Sequence, residues 1–344
     1  MKAVVYEKFN GEIFLRDIPV PSPGEDGVVV KILATGMCLS DWHGYAGHDS
    51  DIDLPHVPGH EWAGEIVAVG KNVRSFRVGE RVTAPFVGGC GHCHDCNSGN
   101  HQVCDHQFQP GFTAYGSFAE YMALDYADTN LVRIPDEISN ETACILGCRF
   151  ITSFRAIAQQ GVVTGGQWVA VHGCGGVGLS AVMIANALGA SVVAVDINDQ
   201  SLALAKSLGA VATINSKNQE DVVGAIKELT KGGVDVSVDA LGIQQTCYNS
   251  IANLRKRGKH VQVGLIAGGQ VQIPMGKVIA HELEILGSHG MQAFHFREVL
   301  EMIRVGKFDP SKMIERQVSL ADSVGLLPKM DQFGQAGVTV INRF

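Results

Sequence analysis

Four cysteines fall between Cys90 and Cys104 in the stretch CGHCHDCNSGNHQVC. Their spacing, C-x2-C-x2-C-x7-C, suits one loop wrapped around a tetrahedral ion, with Cys90, Cys93, Cys96 and Cys104 as thiolate ligands. Four sulfurs complete the shell, so a zinc ion held there has structural work and no position open to a substrate. The iron–sulfur spacings C-x2-C-x2-C-x3-C-P and C-x4-C-x2-C do not match. His92, His94 and His101 in the same loop then read as exposed loop residues rather than ligands.

A second set of ligand types is dispersed. GMCLSDWHGYAG carries Cys38, PGHEWAG carries His60 and Glu61, and ILGCRFITSF carries Cys148. One imidazole and two thiolates would give zinc three protein ligands and leave a fourth position for water or substrate, the pattern of a catalytic site. Taken singly, each of these residues is more often a plain buried or surface residue, and their spacing does not link them.

The third constellation is glycine-rich. Gly173-Cys174-Gly175-Gly176-Val177-Gly178 matches G-x-G-x-x-G, follows the strand-like QWVAVHG and opens the helix-like VGLSAVMIANALG. Gly173 suits the tight turn, Gly175 lets backbone N–H groups approach a pyrophosphate, and Gly178 permits close helix-on-strand packing. The helix N-terminus favours the phosphate charge. The next strand ends at Asp196, where a carboxylate can accept hydrogen bonds from ribose hydroxyls. The residues after it, INDQS, offer no cation for a 2′-phosphate, so NAD is expected over NADP.

Two kinds of element must position these groups. Up to about residue 150, short alternating runs between Gly and Pro punctuation (KAVVYE, GVVVKILATG, WAGEIVAVG, ERVTAPF, GSFAEYMAL) predict a β-rich domain built around a barrel. From about Thr164, strand and helix alternate: SVVAVD, SLALAKSLG, ATIN, EDVVGAIKELT, VDVSVDA, a helix near residues 243–254, KHVQVG and ELEILG. That alternation predicts parallel strands joined by crossover helices, a doubly wound α/β sheet. FHFREVLEMIRVG and GVTVINRF then supply a last helix and strand that can rejoin the first domain.

Bulk properties agree with two globular domains. The chain has 344 residues, 46% of them hydrophobic and 18% charged, enough to bury two cores. A net charge of −8, from 27 basic and 35 acidic residues, argues against a nucleic-acid partner. The N-terminus MKAVVYEKFNG lacks a signal-peptide core, and no apolar run is long enough for a membrane helix, so a cytoplasmic protein is expected. In that reducing setting, nine cysteines read as ligands or small buried residues rather than disulfide partners.

In combination, GHEWAGEIVAVG, the four-cysteine loop and GCGGVG resemble the zinc-dependent medium-chain alcohol dehydrogenases over essentially the whole chain. The resemblance implies a GroES-like β-rich catalytic domain, residues 1–149 and 288–344, and an inserted NAD-binding Rossmann domain, residues 150–287. It implies that Cys38, His60 and Cys148 hold a catalytic zinc, with Glu61 a nearby carboxylate able to approach it, so that each subunit carries two zinc ions. Cys144 competes with Cys148, but Thr152, four residues after Cys148, matches a family threonine near the nicotinamide, which favours Cys148. Cys144, Cys174 and Cys247 are then small structural residues.

By the same resemblance, Ser40 takes the alcohol proton, His43 receives it at the solvent end of a relay, and Asp41 orients the His60 ring. Gly264, closing KHVQVG, joins Gly173, Gly175, Gly176, Val177, Gly178 and Asp196 among the expected cofactor contacts. Many relatives carry a pyrophosphate-binding arginine near the C-terminus. Val338 stands at that place here, so either Arg343 or another cation substitutes or cofactor binding relies more on the glycine turn; Arg149 could also reach an anion, with a solvated or ion-paired arginine as the alternative. The implied reaction is reversible hydride transfer between a primary or secondary alcohol and NAD, in a homotetramer of the compact bacterial and yeast type. A polyol or threonine dehydrogenase of the same superfamily is the alternative, although the polyol branch typically uses a carboxylate in place of Cys148. A non-catalytic zinc or nucleotide-binding protein is the other alternative. Trp42, Trp62, Phe108, Phe112 and Phe150 lie near the motifs and are candidates for an apolar pocket, or for ordinary core.

Overall fold

A computed structural model describes residues 1–332 and 336–344. By its internal contacts the chain divides into two compact units, Met1–Ile151 with Gly290–Phe333 and Val338–Phe344, and Thr152–His289.

The first unit opens with an antiparallel pair, β1 (Lys2–Tyr6) and β2 (Ile13–Asp17). Its main sheet is organised on two long strands, β3 (Val28–Met37) and β4 (Glu61–Val69), which run antiparallel with Gly36 opposite Glu61. Val28, Val30 and Ile32 repeat at the period of two that turns one strand face inward, and they pack with Trp62, Ile66 and Met122. β5 (Arg81–Thr83) pairs with β4, β6 (Tyr121–Leu124) with β3, and β7 (Val132–Arg133) with β5.

The second unit holds six parallel strands: β8 (Trp168–His172), β9 (Ser191–Asp196), β10 (Ala210–Asn215), β11 (Val234–Asp239), β12 (Leu254–Gln262) and β13 (Glu284–Gly287). They lie in the order β10-β9-β8-β11-β12-β13. The order reverses direction between β8 and β11, the doubly wound arrangement in which ligands bind beyond the strand ends at the switch point. Helices Gly176–Ala187, Asp199–Ser207, Val222–Leu229 and Gln244–Ala252 make the crossovers, as the alternating pattern predicts. Val169, Val171, Val193 and Val238 are fully buried, as both-face burial of parallel strands requires.

The chain then returns to the first unit. β14 (Ile314–Ser319) runs parallel to β15 (Val338–Arg343), and β15 pairs antiparallel with β3, giving the path β14-β15-β3-β4-β5-β7 with β6 alongside β3. Val338, 2% exposed, is part of this strand's inner face. Among the described residues, no helix is long and apolar enough to cross a membrane.

Candidate functional site

β3 ends at Met37, and the chain passes through Cys38 into the short helix Leu39–Tyr45. Cys38 sits at the helix start in extended conformation, and its N–H donates to Asp41 Oδ2 at 2.9 Å. The other oxygen of Asp41 accepts from the Gly59 N–H at 3.0 Å and lies 2.8 Å from His60 Nδ1. One buried carboxylate thus fixes the segments that carry two candidate ligands and sets the tautomer of the imidazole. With Nδ1 so engaged, His60 Nε2 is left buried with no hydrogen-bond partner.

Cys148 arrives on a different element. Helix Asn140–Cys144 widens into a π-helical turn, Leu146–Phe150, before resuming as Ile151–Phe154. Gly147 lets this turn lie close to the chain just after β5, since a Cβ there would come 2.8 Å from the Ala84 carbonyl. The result brings a ring nitrogen of His60 and the sulfurs of Cys38 and Cys148 within 4.8 Å of one another. Edges of a tetrahedron with bonds near 2.0–2.3 Å are about 3.5 Å, so the triangle, with its orphaned imidazole nitrogen, fits a zinc ion keeping one open position. Cys38 is held well below the ordinary thiol range, first by a hydrogen bond from Cys148 and then, against burial, by His60 and Arg149. Burial works against a charged His60, but the Asp41 carboxylate outweighs it and raises its pKa.

Cys144 is outside this set: its thiol donates to the Glu141 carbonyl at 3.2 Å. Glu61 is outside it too. Both its oxygens accept from Arg149 Nε at 2.9 Å, Oε1 also takes the Arg149 backbone N–H at 2.9 Å, and Oε2 takes Arg149 Nη2. Arg149 is therefore turned into the protein, and Arg343 lies on the surface 4.0 Å from Asp322. The two oxygens of Glu61, the carboxylate expected near the metal, are thus engaged by Arg149, and Arg149 takes up the ion pair that was the alternative to an anion.

The four-cysteine loop is a separate construction. Cys90, Cys93, Cys96 and Cys104 group their sulfurs within 4.8 Å, with Cys93 Sγ and Cys104 Sγ 3.6 Å apart, and all nine cysteines of the chain are free thiols. A ZnS4 tetrahedron with bonds near 2.3 Å has edges of about 3.8 Å, so the cluster fits a structural zinc. Backbone N–H groups point at the sulfurs: Cys93 to Cys90 at 3.3 Å, Cys90 to Cys104 at 3.3 Å, Cys96 to Cys93 at 3.4 Å and His106 to Cys104 at 3.2 Å. The N–H of Cys96 is the main reason that the Cys93 thiol is lowered to about 6. His92 turns back to the Cys90 carbonyl at 2.9 Å, His101 packs edge-on against Phe294, and His94 is exposed.

Ser40 and His43 occupy the helix that begins at Cys38, with Ser40 Oγ 3.7 Å from the Cys38 sulfur. His43 Nδ1 lies 2.9 Å from Nδ1 of His48, an imidazole partner that the sequence motifs did not single out. Trp42 packs edge-on against both rings.

In the second unit, Gly173 adopts φ +92°, and the helix begins at Gly176 with no side chain capping its first N–H groups. A Cβ on Gly178 would lie 1.7 Å from the Gly173 carbonyl, so only glycine allows the helix so near the strand. A Cβ on Gly175 would meet nothing within 4 Å, the open approach that a pyrophosphate needs. Asp196 Oδ2 accepts the Cys174 N–H at 2.6 Å, which ties the carboxylate to the rim of the turn. Gly264 packs on the Leu241–Gly242 turn, where a Cβ would come 2.3 Å from the Gly242 nitrogen. The Thr152 hydroxyl is buried and unpartnered.

Of the aromatic candidates, Trp62 and Phe150 are core, Phe108 packs on the core, and Trp42 serves the histidine pair. Phe112 alone among them faces a candidate ligand, its ring 5.0 Å from that of His60, and Phe86 flanks the same ring at 6.1 Å.

Comparison with known proteins matches residues 24–136 to the alcohol dehydrogenase GroES-like domain and residues 176–304 to the zinc-binding dehydrogenase domain. An alcohol dehydrogenase of Geobacillus stearothermophilus is 36% identical over 312 residues, covering 89% of this chain and 90% of its own. An L-threonine 3-dehydrogenase of Shewanella sp. (strain MR-7) is 31% identical over 348 residues, covering 99% of each. Among solved structures, the alcohol dehydrogenase from Thermus sp. ATN1 superposes with a TM-score of 0.92 at 26% identity and full coverage of both chains.

Proposed function

The chain belongs to the zinc-dependent medium-chain alcohol dehydrogenase family, and from that premise we propose that it catalyses reversible hydride transfer between a primary or secondary alcohol and NAD. The observation that carries this reading is the triangle of Cys38, His60 and Cys148 with its unpartnered His60 Nε2. These three residues would hold the catalytic zinc. Bound there, zinc supplies a Lewis acid that makes an alcohol oxygen more acidic.

The rest of the chemistry belongs to the protein's own groups. Ser40, beside the Cys38 sulfur, accepts the alcohol proton, and His43 takes it on at the half-exposed end of the helix. Burial and the neighbouring His48 both press the His43 pKa down, with only the Cys38 charge opposing, so the imidazole stays neutral and able to accept a proton into mildly acidic solution. Asp41 keeps His60 in the tautomer that presents Nε2. Phe112 and Phe86 exclude water beside that ring.

In the cofactor-binding domain, read as residues 150–287 against 1–149 and 288–344 for the catalytic domain, Gly173, Gly175, Gly176, Val177 and Gly178 cradle the pyrophosphate. Gly264 keeps the neighbouring turn close, Asp196 receives the ribose hydroxyls, and the unpartnered Thr152 hydroxyl serves the nicotinamide end. The second zinc, at Cys90, Cys93, Cys96 and Cys104, holds its loop together, in a subunit of a homotetramer.

The test is a panel of primary and secondary alcohols, polyols and threonine, assayed in both directions with NAD and NADP. Turnover of simple alcohols with NAD is expected. Preference for NADP overturns the role given to Asp196, activity confined to polyols or threonine replaces the substrate class, and inactivity of zinc-loaded protein throughout overturns the enzyme reading.

A further inference from the structure

Three segments deliver the ligands of the open metal site, and of the residues adjoining those ligands, one meets both of the others at a buried point. Met37 precedes Cys38, Glu61 follows His60, and Arg149 follows Cys148. Arg149 Nη2 donates to the Met37 carbonyl at 2.8 Å, and Nε, Nη2 and the backbone N–H of Arg149 together occupy both oxygens of Glu61. The side chains are 5% and 0% exposed. β3 is shaped for the pair: a Cβ on Gly36 would lie 2.6 Å from Glu61 Oε2, and the Thr35 hydroxyl holds the Glu61 carbonyl at 2.8 Å.

We propose that Arg149 is a positioning residue of the metal centre: it fixes the separation of Cys38, His60 and Cys148 and withholds the Glu61 carboxylate from the metal. This rests on the metal reading given above. The guanidinium fork can bridge a carboxylate and a carbonyl at once, which a lysine's single ammonium cannot do with the same geometry. Without it, a buried carboxylate would stand unpaired beside a dication, and burial of an uncompensated charge is strongly unfavourable. The strongest available partner would then be the metal, and the open position meant for substrate would be lost to an internal oxygen ligand.

The test uses holoenzyme with cobalt(II) in place of zinc, reading the visible absorption that disappears in a Cys38→Ser variant and so reports the open site alone. In Arg149→Met this absorption is expected to weaken, as cobalt bands do on gaining a ligand, with X-ray absorption showing an added oxygen near 2.0–2.2 Å. Adding Glu61→Gln to Arg149→Met removes the competing carboxylate and is expected to restore the wild-type spectrum, a rescue that a merely structural role would not give. Arg149→Lys, which keeps the charge, is expected to shift the spectrum partway and serves if Arg149→Met does not fold. A C38S-sensitive spectrum that neither arginine variant alters overturns the proposal alone. If no wild-type absorption is sensitive to Cys38→Ser, the metal reading fails, and the proposal with it.

Discussion

The two cysteine-based centres are built on opposite plans. The four-cysteine loop draws its ligands from one stretch, Cys90 to Cys104, and its sulfurs take N–H groups from within that loop and its immediate flank. The three-ligand centre draws on Cys38 at the end of β3, His60 at the start of β4 and Cys148 in a π turn, held together by Asp41 and Arg149. A local loop can close a shell around a metal but leaves it nothing to bind. Ligands from separate elements can leave a gap, because each is held from behind by the fold rather than by its neighbour.

Cysteine-to-serine changes separate the two plans most sharply. Cys38→Ser should abolish turnover while the protein keeps its secondary structure by circular dichroism, its melting temperature within a few degrees, and the metal of the four-cysteine loop. Unfolding of this variant would mean that the open centre is structural after all. Cys96→Ser should do the reverse, lowering stability by several kcal/mol, of order 3 or more, since structural zinc binding is folding free energy. Denaturant melts with metal analysis read this out, and undiminished zinc with wild-type stability would sink the staple reading.

Asp41→Asn tests the support rather than the ligand. Loss of the charged partner of His60 Nδ1 should weaken metal binding at the open centre by about 10- to 100-fold, seen by competition with a chelator, with the loop's zinc unaffected. The smallest effect is expected at His43→Gln. Groups in proton transfer contribute typically 10²- to 10⁴-fold, but water can replace a half-exposed imidazole, so about tenfold is expected. Because burial and His48 lower the His43 pKa, wild-type activity should rise from acid through that lowered value and flatten above it. The variant should lack this rise, and an unchanged pH profile would remove His43 from the relay.

The same contrast governs what could be read before the structure. The clustering of the loop's four cysteines was legible from spacing alone, as were the glycine turn and the βαβ alternation, because local geometry dictates each of them. The open centre needed a likeness to a family, since nothing in the spacing of Cys38, His60 and Cys148 brings them together. β7, with two residues, and β14, whose outward residues Glu315, Arg316 and Gln317 dilute its pattern, offered little apolar periodicity. The Arg149–Glu61 pair itself was not foreseen: Glu61 was expected near the metal, and Arg149 was left between an anion and an ion pair whose partner was not named. A signal was present: an arginine in the apolar run ILGCRFITSF needs a buried partner, and the carboxylate beside His60 in PGHEWAG is one. The histidine partner of His43 was equally open to view, five residues on.

The π turn at Leu146–Phe150 gives the choice between two cysteines a rotational basis. An α-helix advances about 100° per residue, and a wider turn advances less, so the segment, which begins after Cys144 and contains Cys148, shifts the phase of the second cysteine against the first. It leaves the first sulfur clocked toward its own helix and the second toward the ligand triangle. Which thiol joins Cys38 and His60 is thus decided by winding rather than by residue type, and a one-residue deletion here would dial a different side chain toward that triangle.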